Sequence, residues 1–169
     1  KNLANVGTIT KPSIEKILSY TPDLVILNAM AASTGESLKE LKIPFIINTA
    51  GNISDILLNI KIYGDITGKK AEAEKLYINS EEKLNNLKKK VKESPLNLKG
   101  AVLYTVSPMM GFNEKSLPGE ILDILGVENI ADNLIGDKPI ISQEFLLKKN
   151  PDFLAGAMSI KSAKDIAYS

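Results

Sequence analysis

Residues 69–93 read Lys-Lys-Ala-Glu-Ala-Glu-Lys-Leu-Tyr-Ile-Asn-Ser-Glu-Glu-Lys-Leu-Asn-Asn-Leu-Lys-Lys-Lys-Val-Lys-Glu, with no Pro or Gly. Ala73, Leu76, Tyr77, Ser80, Leu84, Leu87 and Val91 recur at spacings of three and four. That period puts them on one face of a helix of about 25 residues, roughly 37 Å long. Lys88, Lys89, Lys90 and Lys92 crowd its last turns, where cations complement the negative end of the helix dipole. Ser94-Pro95 ends it. Helix and strand signals alternate on both sides, so this helix reads as a strut between two α/β blocks.

On the amino-terminal side, Pro12-Ser13 before Ile14-Glu15-Lys16-Ile17-Leu18 predicts a short capped helix. Leu24-Val25-Ile26-Leu27 and Ile43-Pro44-Phe45-Ile46-Ile47 are apolar runs of strand length. Between them Ser33 or Thr34 is the expected cap of a helix reaching Leu41. This is the β-α-β order of a parallel sheet. Ser54 to Tyr63 reads as another helix, interrupted by Gly64 and Gly68. The run Gly64-Asp65-Ile66-Thr67-Gly68-Lys69-Lys70 has the wrong glycine spacing, no Ser/Thr after its lysine and no preceding strand, which excludes a phosphate loop.

Carboxyl-terminal to the strut, Gly100-Ala101-Val102-Leu103-Tyr104-Thr105-Val106 predicts a strand and 107–115 a loop. Ser116 caps a helix to Leu125, with Gly126 beyond it. Ser142 to Lys149 is a further helix and Phe153-Leu154-Ala155 a further strand.

Composition removes much chemistry. The 169 residues contain no Cys, His or Trp, and all 21 cationic side chains are Lys. Without His or Cys there is no Ser-His-Asp or Cys-His nucleophile, no imidazole–thiolate zinc site and no His- or Cys-ligated haem. Without Arg, anions fall to Lys and backbone amides. A net charge of +1 gives no electrostatic footprint for nucleic acid, and a 44% hydrophobic content supports a packed core. What remains suits binding better than catalysis, with no catalytic residues, resident cofactor or bare metal site expected.

One element occurs twice. Residues 13–23 align without gaps to 142–152, identical at five of eleven positions, and both copies read Ser, Glu two residues on, an apolar face, then Pro-Asp and a strand. Glu15 and Glu144 therefore lie at helix N-termini, where dipole complementation is worth a few tenths to about 1 kcal/mol. A pair of acidic contacts for a basic partner is the other reading. In parallel sheets ligands bind beyond the carboxyl ends of the strands. Thr8, Thr10, Lys11, Met30, Thr49, Thr105, Ser107, Met109, Met110 and Phe112 lie on such segments or beside them, with Lys115 and Lys138 as further nearby cations. Met109, Met110 and Phe112 could wall a ligand or simply pack their own loop.

Taken in order, Val6-Gly7, Pro12-Ser13-Ile14-Glu15-Lys16-Ile17, Pro22-Asp23-Leu24-Val25-Ile26, the run Tyr63 to Ala73, Gly126-Val127-Glu128-Asn129-Ile130-Ala131, Ser142-Gln143-Glu144 and Asn150-Pro151-Asp152 resemble the substrate-binding proteins of bacterial ABC transporters for iron–siderophores, haem and cobalamin. The resemblance implies two α/β lobes with parallel sheets joined by one long α-helix, a class III periplasmic-binding-protein-like fold. Residues 1–67 would be part of the first lobe, 68–94 the helix and 95–169 part of the second, with both lobes truncated relative to longer family members. It implies a chelate in the inter-lobe cleft and an exported, periplasmic or lipid-anchored monomer. It also implies that Glu15 and Glu144 dock on arginines of a membrane permease. The competing expectations are a doubly wound α/β enzyme and a metal-ion binder of the related cluster class, the latter relying on carboxylates alone.

Overall fold

A computed structural model describes residues 3–157 and 160 of the chain. Its internal contacts separate two compact units, residues 1–50 and 51–169.

The first unit has the predicted β-α-β order. Helix α1 (Ile14–Ser19) begins at Ser13, whose hydroxyl accepts from the Lys16 amide at 3.3 Å. Strand β1 (Val25–Asn28) pairs parallel with β2 (Phe45–Asn48) in a two-stranded sheet. The connecting helix does not start at Ser33 or Thr34. Asn28 instead accepts from the Met30 amide at 2.9 Å, capping a 3-10 turn (Ala29–Ala31) that runs directly into α2 (Ala32–Glu40). An Asn side chain held this close to the strand end competes successfully with the later hydroxyls for the free amides. Ile17, Leu27, Ala31 and Leu38 form the core, and Gly35 lets α2 approach the Phe45 ring more closely than a Cβ would permit. The strands are less enclosed than their apolar runs imply, since Ile26 is 50% exposed.

The second unit opens with α3 (Ile53–Ile66), packed against the long α4 (Lys70–Glu93). The two helices pack as a pair. Gly64 is buried against Ala73, with no room between them for an added Cβ. The Lys61 ammonium lies 3.8 Å from the centre of the Tyr77 ring and 3.4 Å from Glu74. The Tyr77 hydroxyl in turn donates to Glu81 at 2.7 Å, a bond that raises the phenol pKa. Gly68, at a φ of 69°, turns the chain between the helices. Along α4, Ala73 is buried and Tyr77, Leu84 and Val91 partly so, whereas Leu76 and Leu87 are exposed. No helix among the described residues is long and apolar enough to cross a membrane.

Strand β3 (Lys99–Val106) is central to a four-stranded sheet, parallel to β5 (Glu128–Asn129) and β6 (Phe153–Gly156). Residues expected to form only a loop after it instead make β4 (Met109–Gly111), antiparallel to β3. Ala101, Leu103, Ile130, Ala131 and Ile141 form the core. Helix α5 (Leu117–Ile124) starts at Ser116, as expected, and α6 (Gln143–Lys149) at Ser142. Glu120 of α5 reaches across to α3, accepting from the Ile53 amide at 2.7 Å, while Asn52 accepts from Asp55 at 2.7 Å. Two free amides at one positive helix end are thus satisfied, one by a carboxylate. Glu120→Ala is expected to lower stability by about 1–2 kcal/mol, read by denaturant unfolding. An unchanged midpoint would show that the contact contributes nothing.

Candidate functional site

In the first unit the expected ligand residues fall into two local groups. Thr8, Thr10 and Lys11 form a tight exposed turn: the Thr8 and Lys11 backbones exchange hydrogen bonds at 3.2 and 3.3 Å, and the Lys11 amide also donates to the Thr8 hydroxyl at 3.1 Å. Gly7 closes the turn at a φ of 119°, where a side chain would run into the Lys11 carbonyl and the Ser13 amide. This turn leads straight into α1 and Glu15. Met30 and Thr49 follow the carboxyl ends of the paired strands β1 and β2, both on the surface. Met30 is 69% exposed.

In the second unit Thr105 pairs with Met110 and Val106 with Met109, so these residues belong to one hairpin, with Ser107 in its exposed turn. The register advances two residues on β3, from Leu103 to Thr105, against one on β4, from Gly111 to Met110. Tyr104 is therefore the extra residue of a β-bulge, a device that re-aims side chains at functional edges. Met109 packs on the core cluster, while Met110 lies between Thr105 and the isolated bridge to Ile140. Phe112 follows β4 directly. It is only 5% exposed, and its ring meets Tyr104 edge-to-face at 5.7 Å. This edge-to-face geometry is a favourable one for two aromatic rings.

Two buried asparagines anchor the surrounding loops. Asn129 donates to the Phe112 carbonyl at 2.9 Å and to Asp132 at 2.7 Å, and accepts from the Ala131 amide at 3.1 Å. Asn113 donates to the Gly136 carbonyl at 2.8 Å and accepts from the Lys115 amide at 3.2 Å. That fixes the loop bearing Lys138, whose ammonium sits 4.6 Å from the centre of the Tyr104 ring. Such an exposed cation–π contact is worth about 0.5–1 kcal/mol.

Beside this loop, burial and then the Glu114 charge raise the Asp132 pKa, while bonds from its own amide and from the Asn133 amide lower that of Glu114. The two carboxyls are thus shifted in opposite directions, Asp132 toward the neutral form and Glu114 toward the charged one. Protonation of Asp132 relieves a native-state cost as pH falls through its raised pKa. The stabilisation from Glu114 is present above the ordinary glutamate range and is lost only as pH falls through its lowered pKa. Side-chain carboxyl NMR titration should show Asp132 titrating above the ordinary aspartate range and Glu114 below the ordinary glutamate range; shifts in the opposite directions would contradict this arrangement.

The repeat is structural as well as sequential. The Ser13 and Ser142 hydroxyls accept from the third following amides at 3.3 and 3.1 Å. Thr21 and Asn150, at equivalent positions, have φ of 42° and 43°. Each copy then leads through Pro-Asp into a parallel strand, β1 or β6. Glu15 and Glu144 are exposed in the first turns of α1 and α6. Among the described residues no three Asp, Glu, His or Cys side chains are grouped to hold a metal ion.

A family model described as periplasmic binding protein matches residues 1–167. The chain belongs to this family. It is 28% identical over 156 residues to a vitamin B12-binding protein of Vibrio parahaemolyticus, covering 90% of this chain and 56% of that protein. It is 29% identical over 163 residues to the ferric-anguibactin-binding protein FatB of Vibrio anguillarum, covering 90% and 50%. The solved petrobactin-binding protein YclQ of Bacillus subtilis superposes with a TM-score of 0.81 at 24% identity, covering 98% of this chain and 61% of that one. The chain thus spans about half the length of the curated relatives it matches. Its fold is that of the periplasmic binding proteins, and these relatives are named for binding rather than for catalysis.

Sequence reasoning named Lys138 only as a nearby cation and missed Tyr104, Asn113 and Asn129. Tyr104 was hidden inside an apolar strand pattern, because a bulge leaves no mark in hydrophobic periodicity. The asparagines lie in segments read as irregular. An Asn near each end of an apolar stretch was the available signal, and it does not distinguish a buried clamp from a turn.

Proposed function

We propose that this chain is part of the solute-binding component of an ABC importer, which takes up an iron–siderophore or a related chelate such as haem or cobalamin and delivers it to a membrane permease. The observation that carries this reading is the family match along nearly the whole chain, with relatives named for ferric-siderophore and vitamin B12 binding. In this reading residues 1–67 and 95–169 contribute to two lobes and 68–94 is the helix between them. The family description and relatives named as lipoproteins support an exported, periplasmic or lipid-anchored protein, which in this reading works as a monomer.

The ligand contacts proposed for this chain are Thr8, Thr10, Lys11, Met30 and Thr49 on the first unit and Thr105, Ser107, Met109 and Met110 on the second. Phe112, whose ring meets Tyr104 edge-to-face, is proposed as a further contact on the second unit. Binding without turnover fits a side-chain set of hydroxyls, thioethers and lysines. Glu15 and Glu144 are proposed to dock on cationic groups of the permease; their matched helices would present two similar carboxylates to it.

A thermal-shift screen of the longer protein against ferric siderophores, haem and cobalamin tests this. A true ligand at a hundredfold excess over its Kd stabilises the native state by about 2.7 kcal/mol, raising Tm by roughly 5 °C or more. A flat response to the whole panel would contradict the proposal.

A further inference from the structure

We propose that the carboxyl-terminal part of α4 and the loop after it form a membrane-contacting patch, whose lysines meet anionic lipid headgroups while exposed leucines enter the headgroup layer. This goes beyond the solute-binding reading above and does not depend on which ligand is bound.

Charge is segregated along α4. From Lys83 to Lys92 there are five lysines and no acid, in a chain whose cationic and acidic side chains number 21 and 20. All five are exposed. Around the other end of the helix the lysines are matched: Lys69 pairs with Glu72 at 3.5 Å, Lys70 with Asp65 at 3.5 Å, and Lys61 of α3 with Glu74 at 3.4 Å. Lys83, Lys88, Lys89, Lys90 and Lys92 enter no ion pair among the described residues. Helix electrostatics accounts for only part of this cluster. The negative end of a helix attracts cations within its last turn, and that turn holds Lys90 and Lys92. Lys83, Lys88 and Lys89 lie before it, and Lys88 and Lys92, four residues apart, repel one another. An array that works against its own helix calls for an anionic surface outside it.

Apolar side chains are interleaved with these charges. Lys83, Leu87 and Lys90 follow at spacings of four and three, which places them on one stripe of the helix, and Leu87 is 40% exposed. Leu96 and Leu98, in the exposed loop from Ser94 to Leu98, are 51% and 39% exposed. The patch is held in place by Val91, which packs so near Gly126 that an added Cβ there would come within 3.1 Å of it. Basic and apolar side chains together are the two signals of a peripheral membrane surface, with ammonium groups among the headgroups and aliphatic groups beneath them. The same residues have no arginine and no aromatic ring, so they lack the guanidinium and stacking contacts of a nucleic-acid site. Exposed leucines favour a lipid layer over a soluble acidic peptide. Lys99 opens β3 and Thr105 lies near its other end, about 20 Å along the strand, so lipid contact leaves the proposed ligand edge uncovered.

The test sediments the purified longer protein with vesicles of phosphatidylglycerol and phosphatidylcholine in equal parts, and with vesicles of phosphatidylcholine alone. The expected result is binding to the first kind only, released by raising the salt concentration. Lys88→Gln/Lys89→Gln/Lys90→Gln, which keeps helix propensity nearly constant, should lower that binding by at least about tenfold. Leu96→Gln should lower it by a smaller factor. Lys39→Gln/Lys42→Gln/Lys75→Gln removes as much charge elsewhere and should leave it unchanged. Absence of binding to the anionic vesicles, equal losses in the two triple variants, or capture by soluble polyglutamate without vesicle binding would overturn the patch. Full binding by Leu96→Gln would overturn the part given to that leucine. None of these outcomes bears on the solute-binding reading, which ligand titration tests separately.

Discussion

Cells relying on the Glu15→Lys/Glu144→Lys double variant are expected to take up the ligand at least about tenfold more slowly than wild type, although the purified variant binds that ligand with unchanged affinity. Both carboxylates are exposed in the first turns of α1 and α6, away from any ion pair among the described residues. Their exchange for lysine costs the fold no more than the dipole contribution at two short helices, about 1 kcal/mol each. At a docking interface the same exchange turns attraction into like-charge repulsion. Truncating one partner of a hydrogen-bonded interfacial charge pair costs about 2–5 kcal/mol, and every 1.4 kcal/mol is about a tenfold change in affinity. Docking therefore outweighs helix electrostatics by a wide margin if the carboxylates face cationic groups. Single variants should each lose part of the effect. Normal uptake by the double variant would remove the docking role. Reduced ligand affinity with normal docking would reassign the carboxylates to the ligand.

The second large effect concerns Gly119→Ala. In an ordinary helix this exchange is favourable by roughly 1 kcal/mol. Here Gly119 is buried in the first turn of α5, and an added Cβ would overlap the Asn113 carbonyl group. That carbonyl accepts from the Ser116 hydroxyl at 2.7 Å and from the Ser116 amide at 3.1 Å. The Ser116 hydroxyl in turn accepts from the Gly119 amide at 3.1 Å. Relieving the overlap means moving a backbone carbonyl, with no flexible side chain available to yield. It would also disturb the residue whose side chain holds the Lys138 loop. The clash should dominate, for a net loss of about 2–4 kcal/mol. Chemical denaturation measures it; an alanine variant as stable as wild type would show that α5 can shift freely against Asn113.

The long helix, the alternation around it and the Ser-capped repeat were legible because each is written in local chemistry. An uninterrupted period ends at Ser94-Pro95, and two serine hydroxyls fall one residue before an apolar face. The repeat even carries its matched left-handed residues, although Thr21 and Asn150 differ in type. What was hidden depends on distant partners. Asn28 displaced Ser33 and Thr34 as a cap because the strand end presents it to the next amides. Gly64 looked like a helix stop but is the contact that lets α3 lie on α4. Met109 and Met110 looked like loop residues until paired across β3. Phe112 could wall a ligand or pack its own loop by sequence, and its edge-to-face contact with Tyr104 depends on a strand partner that the sequence does not show. Glu120 gave no sign that it satisfies an amide 67 residues away.

The most direct measurement is an equilibrium titration of the longer protein with ferric siderophores, haem and cobalamin, followed by tyrosine fluorescence. The 169 residues here contribute five Tyr and no Trp. The account predicts saturable quenching by at least one of these ligands, with one ligand bound per chain. Absence of saturable binding by every one of them would contradict it.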